Sequence, residues 1–193
     1  MAALIICTVL LHLLHFDASE LHSERLSGIQ AYAFGPKTMD GSFGFGPRVN
    51  GLRSMITLAK VKFSVGEPID VKYVVKNVSS SEQTIWHSGF WRNHMIIVKM
   101  TNGKEPPLTD FGREGRAAFA PRGARTKNFA LTLSPDAEDA TQGAFDLTRI
   151  FDLSDPGLYT LQYVYEERQG GWEGRLPSNV LTFRVVATRG TAP

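Results

Sequence analysis

The chain has 193 residues, a formal net charge of +2, 42% hydrophobic residues and 21% charged residues. This balance builds an ordinary globular domain with a substantial core, and it excludes a disordered or fibrous chain. The near-neutral charge supplies no field for nucleic acid or an anionic membrane, so neither is expected as a partner.

The first element is the apolar run Ala2 to Leu14, which contains the one cysteine, Cys7. The rest of the chain therefore has no intramolecular disulfide, no Cys-based metal site and no thiol nucleophile. The run is short for a membrane span and has the length of a signal-peptide h-region. No Lys or Arg precedes it, and Asp17-Ala18-Ser19 is an imperfect small-x-small cleavage site. Residues 1–19 read as a signal peptide, removed on export, that leaves no stable membrane span. The competing reading is a mature N-terminal helix packed on the domain. Residues 20–48 read as a Gly/Pro-rich linker or a docked extension. Its aromatics Tyr32, Phe34, Phe43 and Phe45 favour docking over full solvation.

The domain proper is expected at 49–188, with a tail at 189–193. Leu52 to Leu58 is a first strand. Val61, Phe63 and Val65 alternate with polar residues, and Gly66-Glu67-Pro68 turns the chain. Ile69, Val71, Tyr73 and Val75 then alternate with Asp70, Lys72, Val74 and Lys76, the period of a strand with one face inward. Gln83 to Trp86 starts a third strand, with Trp86 on its apolar side. Met95 to Met100 is a fourth and ends at Asn102-Gly103, a strong turn signal. Pro106 to Gly123 reads as a Gly-, Pro- and Arg-rich loop, and no amphipathic helix is expected after Leu52. Phe129, Leu131 and Leu133 mark another strand, and Ser134 to Gly143 an acidic loop. Phe145 to Ile150 leads to the turn Asp152 to Gly157, in which Pro156 sets φ, Gly157 permits a positive φ and Asp155 bonds its own backbone. Tyr159, Leu161, Tyr163 and Tyr165 alternate in the following strand. A hairpin loop at Gln169 to Gly174 precedes the last strand, Leu181 to Val185.

Short strands at this spacing predict an all-β fold, an Ig-like antiparallel β-sandwich of seven to eight strands behind an N-terminal extension. Asp155-x-Gly157-x-Tyr159 resembles the tyrosine corner of immunoglobulin-like and fibronectin-like domains, which implies a Tyr159 hydroxyl bonded to backbone upstream. Together with Val49-Asn50-Gly51-Leu52, Gly66-Glu67-Pro68-Ile69, Asn77 and Ser178-Asn179, it resembles secreted bacterial modules of this Ig-like or fibronectin-like class. The resemblance implies fold and export. The Cys…Trp…Cys core of immunoglobulins is missing.

No zinc-protease, nucleophile-elbow, phosphate-loop or EF-hand motif occurs, so an enzyme, a cofactor and a metal are not expected. The richest stretch is Trp86-His87-Ser88-Gly89-Phe90-Trp91-Arg92-Asn93-His94. Aromatic faces beside an Arg fork suit stacking on sugar rings or peptide groups. Trp86, Phe90, Trp91, Arg92 and Trp172 are therefore the candidate ligand-binding residues, with Trp91 at least partly exposed. The plainer alternative places Trp86 and Phe90 in the core. Asp136, Glu138 and Asp139, with Asp146 and Asp152 further on, could offer oxygens to calcium, although a solvated acidic loop is the favoured explanation. Asn77-Val78-Ser79 fits a glycosylation sequon. These readings converge on a non-catalytic exported binding or structural module whose partner is a polypeptide or polysaccharide. A β-sandwich protease inhibitor presenting Pro106 to Gly123 is the other alternative.

Overall fold

A computed structural model describes residues 44–87, 90–119, 129–140, 144–168 and 170–188. The chain divides into two compact units, 1–32 and 33–193, and the described residues all belong to the second. The expected signal segment, residues 20–43 of the linker and the tail 189–193 lie outside them.

Ten strands occur among the described residues: β1 (Leu52–Leu58), β2 (Lys62–Ser64), β3 (Asp70–Asn77), β4 (Gln83–His87), β5 (His94–Met100), β6 (Phe129–Leu133), β7 (Glu138–Asp139), β8 (Ala144–Asp146), β9 (Gly157–Glu167) and β10 (Gly174–Val186). They exceed the expected seven to eight because β2, β7 and β8 are fragments of two or three residues. One sheet runs β1-β3-β7, with β8 also on β3. The second runs β2-β10-β9-β5, and β4 and β6 form a separate ribbon. Pairing is antiparallel except between β2 and β10. The fold is thus an all-β sandwich.

Alternation sets the inward faces. Leu52, Ile56, Val71, Tyr73 and Val75 come from the first sheet, and Ile96, Val98, Tyr159, Leu161, Tyr163 and Phe183 from the second; all are buried. Each such side chain contributes roughly 1.5–3 kcal/mol through the water it sheds. The entry into β1 is a two-residue turn: Val49 and Leu52 exchange backbone bonds at 2.9 Å in each direction. Asn50 and Gly51 both take positive φ there, 45° and 87°, as a type I′ turn requires.

Four expectations are corrected. Residues 110–118, read as loop, form helix α2 (Asp110–Ala118), which follows a one-turn helix α1 (Phe90–Asn93). Thr109 caps α2 by accepting from Gly112 N at 3.0 Å, and Asp110 suits the positive end of the helix dipole. The two glycines that argued against a helix are its contact face. A Cβ at Gly112 would meet the Ile150 carbonyl, and one at Gly115 would meet the Trp91 ring. Second, the inward residue of β4 is Ile85, 3% exposed, while Trp86 is only half-buried. Third, Gly157 does not take a positive φ; it is already the first residue of β9, opposite Val185. Fourth, β10 begins at Gly174, seven residues before the expected start, and passes Ser178 and Asn179 through a register shift. Bulges of this kind hold an extra residue without ending a strand.

Candidate functional site

β5 is the terminal strand of its sheet, paired with β9 on one side only. Among the described residues no strand pairs with its other edge. A cavity of about 210 Å³ lies along that edge. Four consecutive residues of β5, His94 to Ile97, line it. Successive strand residues point to opposite faces, so the cavity follows the strand's edge, not one face.

The opposite wall comes from α2 and its flanks, through Leu108, Gly112, Gly115, Arg116 and Phe119, with Ile150 and Phe151 beneath. Trp91 lines the cavity as well. Its ring lies against Gly115 and meets Phe111 edge-on, with centroids 5.5 Å apart. Phe111 is 43% exposed and carries the Arg149 guanidinium 4.9 Å above its ring. Arg116 and Glu105 form a bidentate pair at the wall, 2.6 Å for each bond. Glu105 holds the Arg116 guanidinium above its ordinary value. The second guanidinium nitrogen also points at the Ile96 carbonyl, at a long 3.5 Å. Trp91 and His94 of one stretch are thereby brought to the same place as Leu108, Gly112, Gly115, Arg116 and Phe119 of another distant in sequence.

The candidate residues separate. Trp91 lines the cavity and Arg92 is half-buried beside it in α1. Trp86 is half-buried, and its indole N–H donates to the Gly170 carbonyl. Trp172 is corrected from platform to core: it is 3% exposed, its Nε1 donates to Asn50 O at 3.1 Å, and its ring leans on Tyr165. The side chains of Phe90 and His87 lie outside the described residues, as do Ser88 and Gly89. Phe111, Arg116 and Phe119 were missed because Pro106 to Gly123 read as a loop, and Glu105 because it falls between that loop and the Asn102-Gly103 turn. The Thr109-Asp110 pair, a capping residue followed by an acid, was the available signal.

Tyr159 donates its hydroxyl to Asp155 O at 2.5 Å, and its ring stacks on Phe183 at 5.4 Å. His94 is 2% exposed among Tyr73, Tyr163 and Tyr165. Burial pushes all three tyrosines above their ordinary pKa. Asn77 of the sequon is fully buried, and its amide donates to Ser81 O and Leu133 O. The folded domain therefore presents no acceptor there. Among the described residues, no group of three or more His, Cys, Asp or Glu is placed to hold a metal ion. A second, wider depression of about 510 Å³ lies between the β2–β3 turn, Thr109 to Arg113 and Asp152 to Ser154. Its carboxylates already have partners. Lys60 bonds Glu67 and Ser154 bonds Asp152, and each lowers the pKa of its acid.

No family model and no curated protein matches the chain. Among solved structures it is similar to a crystal structure of beta-glucosidase from Listeria innocua in complex with isofagomine, at 12% identity and a TM-score of 0.36, over 77% of this chain and 17% of that one. It is also similar to the same enzyme in complex with glucose, at 11% identity and a TM-score of 0.33, over 75% of this chain and 16% of that one. The chain thus spans only those shares of the two enzyme chains, and a likeness of this degree carries no argument about activity.

Proposed function

We propose that the domain is a non-catalytic, exported binding module that takes an extended polypeptide segment at the outer edge of β5. The observation that supports this is the apolar cavity running along an edge that no described strand pairs. Bare edges recruit strands, and proteins usually cover them. The outer edge of β1 is covered: Gly46 N donates to Ser54 O at 2.8 Å, and the Asn179 side chain bonds both Ile56 N and Ile56 O. At β5 the corresponding space is a hollow. Strand addition at an edge draws affinity from main-chain bonds and specificity from side-chain pockets beside them. A polysaccharide is less favoured, because stacking on sugars needs open aromatic faces and Trp172 is buried. The inhibitor reading needs an extended presenting loop, and half of that stretch is helix α2. Export rests on the N-terminal apolar run.

Selection from a displayed library of random peptides tests the proposal. Enrichment of short extended segments is expected, with affinity at least about tenfold weaker for Ile97→Lys, which puts a charge into the cavity wall. Failure to enrich any segment, or undiminished binding by that variant, overturns it.

A further inference from the structure

We infer that the cavity behind β5 is a socket for one aromatic side chain of the bound segment, an inference that rests on the polypeptide reading of this edge. Size comes first. Protein interiors have few voids larger than a water molecule. An apolar cavity of about 150 Å³ admits benzene. This one, at about 210 Å³, admits a single phenyl or phenol ring with the carbon that joins it to a backbone. An aliphatic side chain would leave part of the volume empty and forfeit dispersion contacts on that side.

The lining agrees with the size. Trp91, Phe119 and Phe151 line the space, and aromatic rings favour offset or edge-to-face contact with another ring. Met95 places a thioether on the strand side, another good neighbour for a ring. The hollow is held open from two directions. Gly112 and Gly115 seat α2 on Ile150 and Trp91, and the Arg116–Glu105 pair ties the helix to the chain just after β5.

The polar group at the wall orients the guest. Arg116 reaches the Ile96 carbonyl only at 3.5 Å, beyond good hydrogen-bond distance. That carbonyl retains capacity for an incoming backbone N–H. A segment laid along β5 can therefore donate to Ile96 while its ring enters the socket beside it. Pockets with apolar walls and one or two placed polar groups are the usual form of a specific site.

The probe is N-acetyl-phenylalaninamide, a ring with a peptide group on each side, compared with N-acetyl-alaninamide. Tryptophan emission is followed, since Trp91 lines the socket and neither probe fluoresces in that range. A saturable change is expected with the phenylalanine probe, at least about tenfold tighter than with the alanine probe, as burial of a ring implies. Leu108→Phe fills the socket and should weaken binding at least about tenfold; Ile97→Phe does the same from the strand side should the first variant fold poorly. Equal binding of the two probes, absence of binding by both, or undiminished binding by the filled variants overturns the socket. The two readings fail separately. Peptides selected without aromatic residues, and bound equally by Leu108→Phe, would sink the socket and keep the edge site. Binding of the phenylalanine probe with no peptide selected would sink the polypeptide reading and retain the socket.

Discussion

Single polar side chains secure this sandwich where backbone ladders end. Asn179 is 8% exposed and sits in the irregular part of β10. Its Oδ1 accepts from Ile56 N at 2.7 Å and its Nδ2 donates to Ile56 O at 3.2 Å. It thus substitutes for a missing strand on the edge of β1. Ser178 beside it accepts from Tyr163 N at 2.9 Å. Tyr159 makes a different kind of bond, because its acceptor, Asp155, is an exposed residue. Losing a bond costs most when the abandoned group cannot reach water. Asn179→Ala should therefore cost about 2–4 kcal/mol, through two lost bonds and a buried Ile56 amide. Tyr159→Phe should cost only about 1 kcal/mol, because water replaces the hydroxyl at Asp155. Urea unfolding of both variants checks the order through the midpoints at similar slope. A larger loss for Tyr159→Phe would reverse this account. Tyr159 and its turn were legible because Asp-x-Gly-x-Tyr is local. The Asn179 to Ile56 contact spans 123 residues and leaves no local trace.

At the scale of elements, helix α2 decides whether the candidate site exists. Two glycines in nine residues lower intrinsic helix propensity by roughly 1 kcal/mol each relative to alanine. The helix forms because those glycines allow the close approach to Ile150 and Trp91 that side chains would block. Gly112→Ala improves propensity, yet it places a methyl group on a backbone carbonyl that has no room to shift. The expected result is a net loss of about 1–3 kcal/mol from overpacking. It should come with a change in Trp91 emission as the helix lifts. A thermal melt at or above wild type, with unchanged emission, would count against the close-packed helix. Strands were easier to foresee than this helix. Period-2 alternation reports burial directly in β1, β3, β5 and β9, whereas α2 sets Phe111, Gly112, Gly115 and Ala118 apart from its charges over only nine residues, and the two glycines on that face read as loop.

At the scale of the whole molecule, the two sheets share an interior rich in tyrosine. Tyr73 and Tyr163 lie with ring centroids 4.3 Å apart, and Tyr165 sits on the other side of His94. Burial raises the pKa of all three above the ordinary value of 10.0. In the unfolded chain they release protons near that value, while the folded chain keeps them. Above it the folded state therefore binds more protons, and stability falls as pH rises. Each such tyrosine contributes a slope of about 1.4 kcal/mol per pH unit, so the three together give about 4 kcal/mol per unit. Their contribution to stability is fully present below pH 10 and declines above it. Urea midpoints measured across that range in a Tyr32→Phe background should bend downward there, with tyrosinate absorbance from Tyr73, Tyr163 and Tyr165 appearing only as the protein unfolds. A flat midpoint, or tyrosinate in the folded protein, would contradict the burial of these hydroxyls.

The sequence by itself determined the class of fold and most of its strands. Alternation, turn residues and the absence of cysteines from the domain are local properties, and each one constrains the backbone where it stands. The β1 bounds, the inward faces of β3 and β9 and the Tyr159 corner geometry all belong to that level. Only the tertiary structure decided which aromatics face water, because exposure depends on what arrives from elsewhere in the chain. Trp172 went into the core when Val49 and Asn50 came to meet its indole, and Trp91 became a cavity wall when α2 docked on it. The edge of β5 and the hollow beside it arise in the same way: the order of strands in a sheet is set by contacts between distant segments, and no local pattern records it.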